Sequence, residues 1–429
     1  VKNNNKNSQG LFFINRIYQI LMHYAIVFIL FNLLLTATKQ NSDGEYCDAK
    51  TKICSERSSL DSEKFLFYDV NPPEGFNLRR DVYMRFATML REAQKRGKRK
   101  NWSLVLPPWH NLYHWRSPHI SRKPVPWSSF FDIESLKSYT PVAEMHEVFS
   151  RNPSKNLKID RLYVLQNYED AFEDGEFKEK WEITDEDCEY DGRYWGYNNI
   201  SVKEIICVKY QGKISMLWEL ISQHPSDSTV MFSHGEIPLH DSYGTKEYWD
   251  CRKSMKFNKS LVKFARKYIQ NNLECNSKLC SSYISVHWRR QDFARSRKTD
   301  VPSVAGAVRQ IDKFIKNNNG SIRKIYIATD ASMIELESLE NPLKKLGYTV
   351  YNYLPSINEL DKFLDGGVAI IDQIICSRAA YFIGTHESTF TFRIQEEREI
   401  LAFNSDSTFN RLCPDNGKCE NPSKWTIVN

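Results

Sequence analysis

The chain carries none of the short motifs that announce common chemistries. There is no Gly-x-Gly-x-x-Gly, no Walker loop, no His-Glu-x-x-His and no Gly-x-Ser-x-Gly. That excludes the usual dinucleotide fingerprint, the P-loop cradle, the zinc-protease helix and the serine-hydrolase elbow. The ten cysteines form no Cys-x-x-Cys pairs, so a structural zinc site is not expected. No convincing Asp-x-Asp is present to hold a divalent cation on a nucleotide: Asp185-Glu186-Asp187 lies in an acidic loop beside Cys188. There is no internal repeat, and no low-complexity tract beyond the Asn/Lys-rich start. Charge of one sign is also scarce. With 59 Lys plus Arg against 53 Asp plus Glu, the net charge is only +6. An anionic small ligand fits that balance, but nucleic acid as a partner does not, because its binders concentrate basic residues on one face.

What is present points to a folded protein of the secretory route. Hydrophobic residues make up 41% and aromatics 13%, over a length that one core does not usually serve, so two lobes are predicted. From Ile17 to Ala37 there is no Lys, Arg, Asp or Glu, while Lys2, Lys6 and Arg16 precede. Residues 1–40 read as a signal peptide, or as a signal anchor, since the stretch is long enough to remain in a bilayer. The membrane is then met only through an uncleaved segment. Residues 41–62 read as a polar lead-in. Cys413 and Cys419 enclose a turn-rich stretch and suit a short disulfide loop, Cys47 and Cys54 allow another, and Cys188 with Cys207 flank a polar region that a clip would steady. Cys376, in an apolar helical pattern, reads as a buried free thiol. Asn101, Asn199, Asn258 and Asn319 each open an Asn-x-Ser/Thr sequon and are candidate glycan sites.

Apolar runs of strand length begin at Lys64 and recur at Ser103–Leu106, Leu162–Leu165, Ile205–Val208 and Thr229–Phe232. A helix is predicted over 77–96, with Asn77 as its N-cap, and a long one over 246–272. The irregular stretch 107–138 holds Trp109, Tyr113, Trp115, Trp127, Phe130 and Phe131. It reads as core under a long loop or as the wall of a groove for a protein acceptor. Beyond Tyr283 the chain alternates strand and helix regularly, which predicts a parallel sheet with helices on both faces and ligands at the strand ends.

Three constellations fall at strand ends. In Asn71-Pro72-Pro73-Glu74-Gly75-Phe76-Asn77, two prolines stiffen a turn that presents a carboxylate, suited to proton abstraction or to capping the next helix. In His287-Trp288-Arg289-Arg290-Gln291-Asp292, one arginine is expected to pair with a carboxylate and the other to bind a diphosphate. In Gly384-Thr385-His386-Glu387-Ser388-Thr389-Phe390, helix N–H groups can bind phosphate oxygens, or Ser388 and Thr389 can act as plain caps. Asp372, within an apolar helix, needs a partner: a guanine edge, or a buried arginine. Glu397, taken alone, reads as part of a solvated charge run.

The blocks Phe67–Asp81, Leu106–Trp109, Leu112–Trp115, Lys246–Asp250, Val286–Arg290, Asp365–Gln373 and Phe382–Ile400 resemble the protein O-fucosyltransferase 2 family. The resemblance runs from about Phe65 to the C-terminus. It implies a GT-B α/β fold: two Rossmann-like lobes, 63–248 with the catalytic base and acceptor groove and 249–429 with the donor, which sits in the cleft between them. It implies inverting transfer of fucose from GDP-fucose to Ser or Thr of folded thrombospondin type 1 repeats, in the endoplasmic reticulum, without cofactor or essential metal, by a monomer. The base falls on Glu74. Donor contacts fall on Pro73, Gly75, Phe76, Asn77, His287, Arg289, Asp372, Thr389 and Phe390, and a further carboxylate needed for activity falls on Glu397. The disulfides implied are Cys188–Cys207 and Cys413–Cys419. Trp288, His386 and Glu387 depart from the family pattern, as does the basic stretch Lys95–Lys100. Competing readings are a related enzyme acting on EGF-like repeats or glycans, and a lumenal quality-control module for folded repeats.

Overall fold

The computed structural model describes residues 46–47, 54–55 and 63–428, except 116, 118–122, 152–153, 170–171, 174–175, 185–187, 191, 278, 299, 417–418 and 421. The signal segment expected at residues 1–40 and the Asp185–Asp187 triplet lie outside the described residues. The first compact unit, Val1–Ser62, contributes two short antiparallel strands in which Cys47 and Cys54 are register partners. The second unit, Glu63–Asn429, holds everything that follows.

Its first sheet contains β1 (Lys64–Tyr68), β2 (Trp102–Leu106), β3 (Val142–Glu144), β4 (Leu157–Gln166), β5 (Lys180–Ile183), β6 (Ile200–Gln211) and β7 (Thr229–Ser233). The strand order is β3-β2-β1-β7-β4-β6-β5. All neighbours are parallel except β5 and β6. The second sheet is wholly parallel, β8 (Tyr283–Trp288), β9 (Lys324–Thr329), β10 (Thr349–Tyr351), β11 (Tyr381–Thr385) and β12 (Arg411–Leu412), in the order β10-β9-β8-β11-β12. Parallel strands need crossovers, and helices covering both faces explain why β2, β7 and β8 are buried along their whole length. This is the GT-B class of α/β architecture.

The principal helices are α1 (Phe76–Lys95), α2 (Lys246–Ser254), α3 (Lys259–Leu273), α4 (Gln291–Ser296), α5 (Val304–Asn319), α6 (Met333–Lys345), α7 (Ile357–Arg378) and α8 (Thr389–Ile400). The single helix predicted over 246–272 is two. Asn258 interrupts it: its Oδ1 accepts from the Ser260 N–H at 2.8 Å, starting α3, and its Nδ2 donates to the Ser128 carbonyl at 2.7 Å. Asn77 does not cap α1. Gly75 holds that position, and Asn77 lies inside the helix with its side chain turned to other partners. In α7, Leu364 adopts φ +60°, a kink about two turns into the helix. Gly366 follows because space is missing. A Cβ there would lie 2.7 Å from atoms of both Phe130 and Trp115.

One continuous core runs from α1 through the aromatic stretch to α3 and α7, joining the two sheets. Trp109, Trp127, Phe130 and Phe131 are buried in it, so the aromatic stretch is mainly core; Tyr113 alone of those six rings is strongly exposed. The disulfides Cys188–Cys207 and Cys413–Cys419 are present, and Cys376 is a buried free thiol. The bridge Cys275–Cys280 and the buried thiol Cys251 were not anticipated.

Candidate active site

The first half of the site is a turn at the carboxyl end of β1. After Tyr68, the Asp69 N–H still bonds the Phe232 carbonyl of β7, and then the chain leaves the sheet. Pro72 and Pro73 are exposed, and the Glu74 N–H closes the turn on the Asn71 carbonyl at 2.9 Å. Arg79, one turn into α1, reaches back over it. Its Nε donates to the Glu74 carbonyl at 3.0 Å, and its Nη2 to the Val70 and Asn71 carbonyls at 3.1 and 3.0 Å. The Asn71 N–H donates to Glu236 at 3.1 Å. Glu74 is half-buried, and its carboxyl is pushed up, first by burial and then by the Glu236 charge, against a smaller pull from Arg79. A carboxyl biased towards holding a proton is suited to take one from a hydroxyl.

The helix behind the turn also has a use. The first N–H groups of any helix lack intrahelical partners, and Gly75 offers no side chain to α1. The Phe76 ring is not free for a ligand. It packs in the core, 4.7 Å from Trp109 and 5.6 Å from Phe130 between centroids. What it can offer is its backbone N–H.

The second half lies at the carboxyl ends of β8, β9 and β11. His287 is buried; its Nδ1 sits 2.8 Å from the Thr391 hydroxyl, and its ring stacks on Phe390 at 4.4 Å. Burial, and then the neighbouring Arg289 charge, pull its pKa down to about 3, so the imidazole is neutral at any physiological pH. Thr385 welds β11 to β8: its hydroxyl donates to the His287 carbonyl and accepts from the Arg289 N–H, both at 2.9 Å. Arg289 donates to Asp292 at 2.9 Å and also to Asp330. Arg290 bonds Glu335 at 2.7 Å. Both arginines are therefore ion-paired, Arg289 as well as Arg290. Each carboxylate takes one N–H from Arg289, a guanidinium with donors to spare, and so orients it.

Ser388 stands at the N-cap position of α8 but makes no side-chain cap bond, so the simple capping role is not realised. Thr389 is exposed at the first turn. Gly384 allows this helix to begin so close to β11, because a Cβ there would meet Thr391 at 2.3 Å. Glu387, at φ +53°, ion-pairs with Arg297 beside the same turn, and His386 faces Arg411 at 2.9 Å.

Asp372 on α7 accepts a hydrogen bond from the Tyr326 hydroxyl of β9 rather than from an arginine. Burial raises its pKa to about 7, and that bond moderates the rise. The halves meet next door: Gln373 Nε2 donates to Asn77 Oδ1 at 2.8 Å.

Glu397 is only partly exposed and is not part of a free charge run. It accepts from Arg252 at 3.1 Å, within a buried ion network where Arg252 also donates to Glu396 at 2.6 Å and Arg393 pairs Glu396 at 2.9 Å. Sequence reasoning missed Tyr326, Thr385, Arg79 and Asp330. A hydroxyl within an apolar strand needs a partner, which is a signal for Tyr326; nothing local distinguishes Asp330. Among the described residues no cluster of His, Cys, Asp and Glu is arranged to hold a metal ion. Of the sequons, Asn199 Nδ2 bonds the Lys155 carbonyl, Asn258 Nδ2 is engaged as above, and Asn101 is half-buried before β2. The Asn319 side chain lies outside the described set.

The family described as "GDP-fucose protein O-fucosyltransferase" matches residues 65–401. GDP-fucose protein O-fucosyltransferase 2 of Homo sapiens is 38% identical over 437 residues, covering 94% of this chain and 99% of that protein. The protein of the same name from Caenorhabditis elegans is 35% identical over 435 residues, covering 93% and 98%. Among solved structures, POFUT1 in complex with GDP superposes with a TM-score of 0.54 at 17% identity, covering 82% of this chain and 98% of that one. That likeness concerns the fold alone.

Proposed function

The chain belongs to the GDP-fucose protein O-fucosyltransferase family and is a glycosyltransferase that uses GDP-fucose, and we propose that it transfers fucose, with inversion and without a metal, to Ser or Thr of folded thrombospondin type 1 repeats. The observation that carries the reading is Glu74. It is a carboxylate of raised pKa on a clamped turn, beside a helix whose Asn77 touches the residue after Asp372. The acceptor follows from the resemblance of the long block around Asn71-Pro72-Pro73-Glu74, and the relatives named GDP-fucose protein O-fucosyltransferase 2 match nearly the full length of both chains.

In this reading Glu74 takes the proton of the acceptor hydroxyl as its oxygen attacks C1 of fucose from the face opposite GDP. The C1–O bond to the diphosphate breaks, and its electron pair leaves with GDP. Such base assistance contributes about 10²–10⁴-fold. Arg289, fixed by Asp292 and Asp330, and the N–H groups that open α8 meet the charge that grows on the diphosphate. Neutral His287 and Phe390 form the wall beside it. Asp372 accepts the N1–H and N2–H donors of guanine. Pro73, Gly75, Asn77 and Thr389 border the same donor. Glu397 supports the site from behind, through Arg252. The three disulfides among the described residues fit an oxidising compartment, and the lumen of the endoplasmic reticulum is the proposed location.

The test is mass spectrometry of folded thrombospondin and EGF-like repeats after incubation with GDP-fucose, with and without a chelator. A fucose mass on the thrombospondin repeat alone, unaffected by chelator, is expected. Modification of only the EGF-like repeat, or of neither, overturns the acceptor assignment.

A further inference from the structure

The Arg79 guanidinium makes three hydrogen bonds, all to main-chain carbonyls, and all within the turn that carries Glu74: Val70, Asn71 and Glu74 itself. The Arg79 N–H adds a bond to the Gly75 carbonyl at 3.1 Å. A turn with two prolines has few N–H groups to hold itself closed, and its carbonyls need donors from elsewhere. One planar fork supplies them. The fork is itself aimed from behind. Asp69 lies 3.7 Å from Nη1, and its carboxylate is held by the Tyr190 hydroxyl at 2.5 Å, the Trp195 indole N–H at 3.1 Å and the Val70 N–H at 2.8 Å. Tyr190 and Trp195 lie in the segment closed by the Cys188–Cys207 bridge. A cavity of about 320 Å³ opens beside this assembly, lined by Pro72, Arg79, His110, Asn111, Arg193 and Trp195, so the turn has open space beside it.

We propose that Arg79 is the positioning residue of the catalytic turn, fixing the Glu74 main chain by its fork and the Glu74 carboxyl by its charge. The inference rests on Glu74 being the base. The groups that face Glu74 are Glu236, which has His234 as partner at 3.2 Å; Arg79, with Asp69 behind it; and His114, whose Cδ2 lies 3.2 Å from a Cβ built on Gly75. Arg79 is the cation among them that holds the Glu74 pKa down against burial and Glu236. Removing it therefore acts twice. The turn loses its clamp, and the carboxyl holds its proton to higher pH.

The experiment compares Arg79→Ala, Arg79→Lys and Glu74→Gln, using GDP-fucose and the acceptor that the unaltered chain modifies. Kinetics are followed against pH, with the GDP dissociation constant measured alongside. Arg79→Ala should lower kcat about 10²-fold, the scale of a misplaced catalytic group. It should move the acid limb of kcat upward and leave GDP binding unchanged. Arg79→Lys keeps the charge without the fork, so its limb should stay near the original while kcat remains low. A residue that merely supports folding would scale activity with the folded fraction and leave the limb in place, and that result overturns the proposal. If Arg79→Ala does not fold, Arg79→Lys decides, because normal kcat there excludes the fork. Normal turnover in Glu74→Gln instead removes the base assignment, and is told apart by leaving the Arg79 variants without a titrating carboxyl to shift.

Discussion

Gln373 on α7 holds Asn77 on α1 through a single amide: Nε2 donates to Asn77 Oδ1, and Oε1 accepts from Arg80 Nη1, both at 2.8 Å. The residues next to it in sequence or on the same turn are Asp372 on one side and Glu74 to Phe76 on the other. One buried side chain thus registers α1, which follows the Glu74 turn, against α7, which carries Asp372. Arg80 is fully buried, and among the described residues its Nε and Nη2 have no hydrogen-bond partner. Gln373→Leu leaves Nη1 dependent on Asn77 alone, at 3.3 Å. We expect a loss of about 1–3 kcal/mol, read as a lower Tm, together with a raised KM for GDP-fucose. An unchanged KM in a destabilised variant would show that the contact serves folding only.

Asp372 predicts a pH dependence of donor binding. Its carboxyl, raised to about 7 in the free protein, must be ionised to accept both guanine donors. At pH 8 it already is; below pH 7 the nucleotide must displace a proton. Affinity for GDP should therefore fall with falling pH, by about tenfold at pH 6 relative to pH 8. Calorimetry at pH 6.5 in buffers of different ionisation enthalpy should register the proton released. A flat profile, or the same profile in Asp372→Asn, removes Asp372 from the guanine site.

Much of this arrangement is written locally, and the residues show why the rest is not. Strands β8 and β9 follow the strand–helix alternation expected beyond Tyr283, because each is a short run dominated by aromatic and β-branched residues. The split between α2 and α3 was hidden because helical periodicity runs through Asn258, whose role depends on the Ser128 carbonyl far away in sequence. Glu397 misled for the same reason. A Glu-Glu-Arg run looks solvated until Arg252, on another helix, supplies the partner. Arg79 and Asp330 became visible only through carbonyl and guanidinium contacts that no spacing rule encodes. Local chemistry revealed the strand ends and the turn; long-range partners decided what the charges do.

Arg289 should separate charge from geometry. Its fork is aimed by Asp292 and Asp330, and burial pulls its pKa down while the Asp292 charge opposes that shift. Arg289→Ala removes charge-assisted bonds to the diphosphate, each worth about 1.5–3 kcal/mol. We expect GDP affinity to drop roughly 10–10²-fold and transfer to vanish. Arg289→Lys should bind GDP better than the alanine variant yet turn over slowly, since a point charge does not reproduce a fork. Full GDP affinity in Arg289→Ala would place the diphosphate elsewhere.

Glu397 tests whether a carboxylate remote from the diphosphate can still govern turnover. It lies eight residues after Thr389 along α8, which at about 1.5 Å per residue puts it some 12 Å from the helix end that would face phosphate. It therefore acts through Arg252, which is almost fully buried and also anchors Glu396. Glu396 in turn holds Arg393, and Arg393 lies 3.7 Å from Asp81 of α1. The network thus runs from α8 to α1, the helix that follows the Glu74 turn. Glu397→Gln keeps a hydrogen bond to Arg252 but not the charge, so a small fall in Tm is expected. Glu397→Ala leaves Arg252 with Glu396 and the Arg393 carbonyl and should cost about 1–3 kcal/mol. If the network positions the two helices, kcat should fall in the alanine variant by more than its folded fraction accounts for, while GDP binding stays within a few-fold. Activity that merely follows the folded fraction would reduce Glu397 to a structural ion pair.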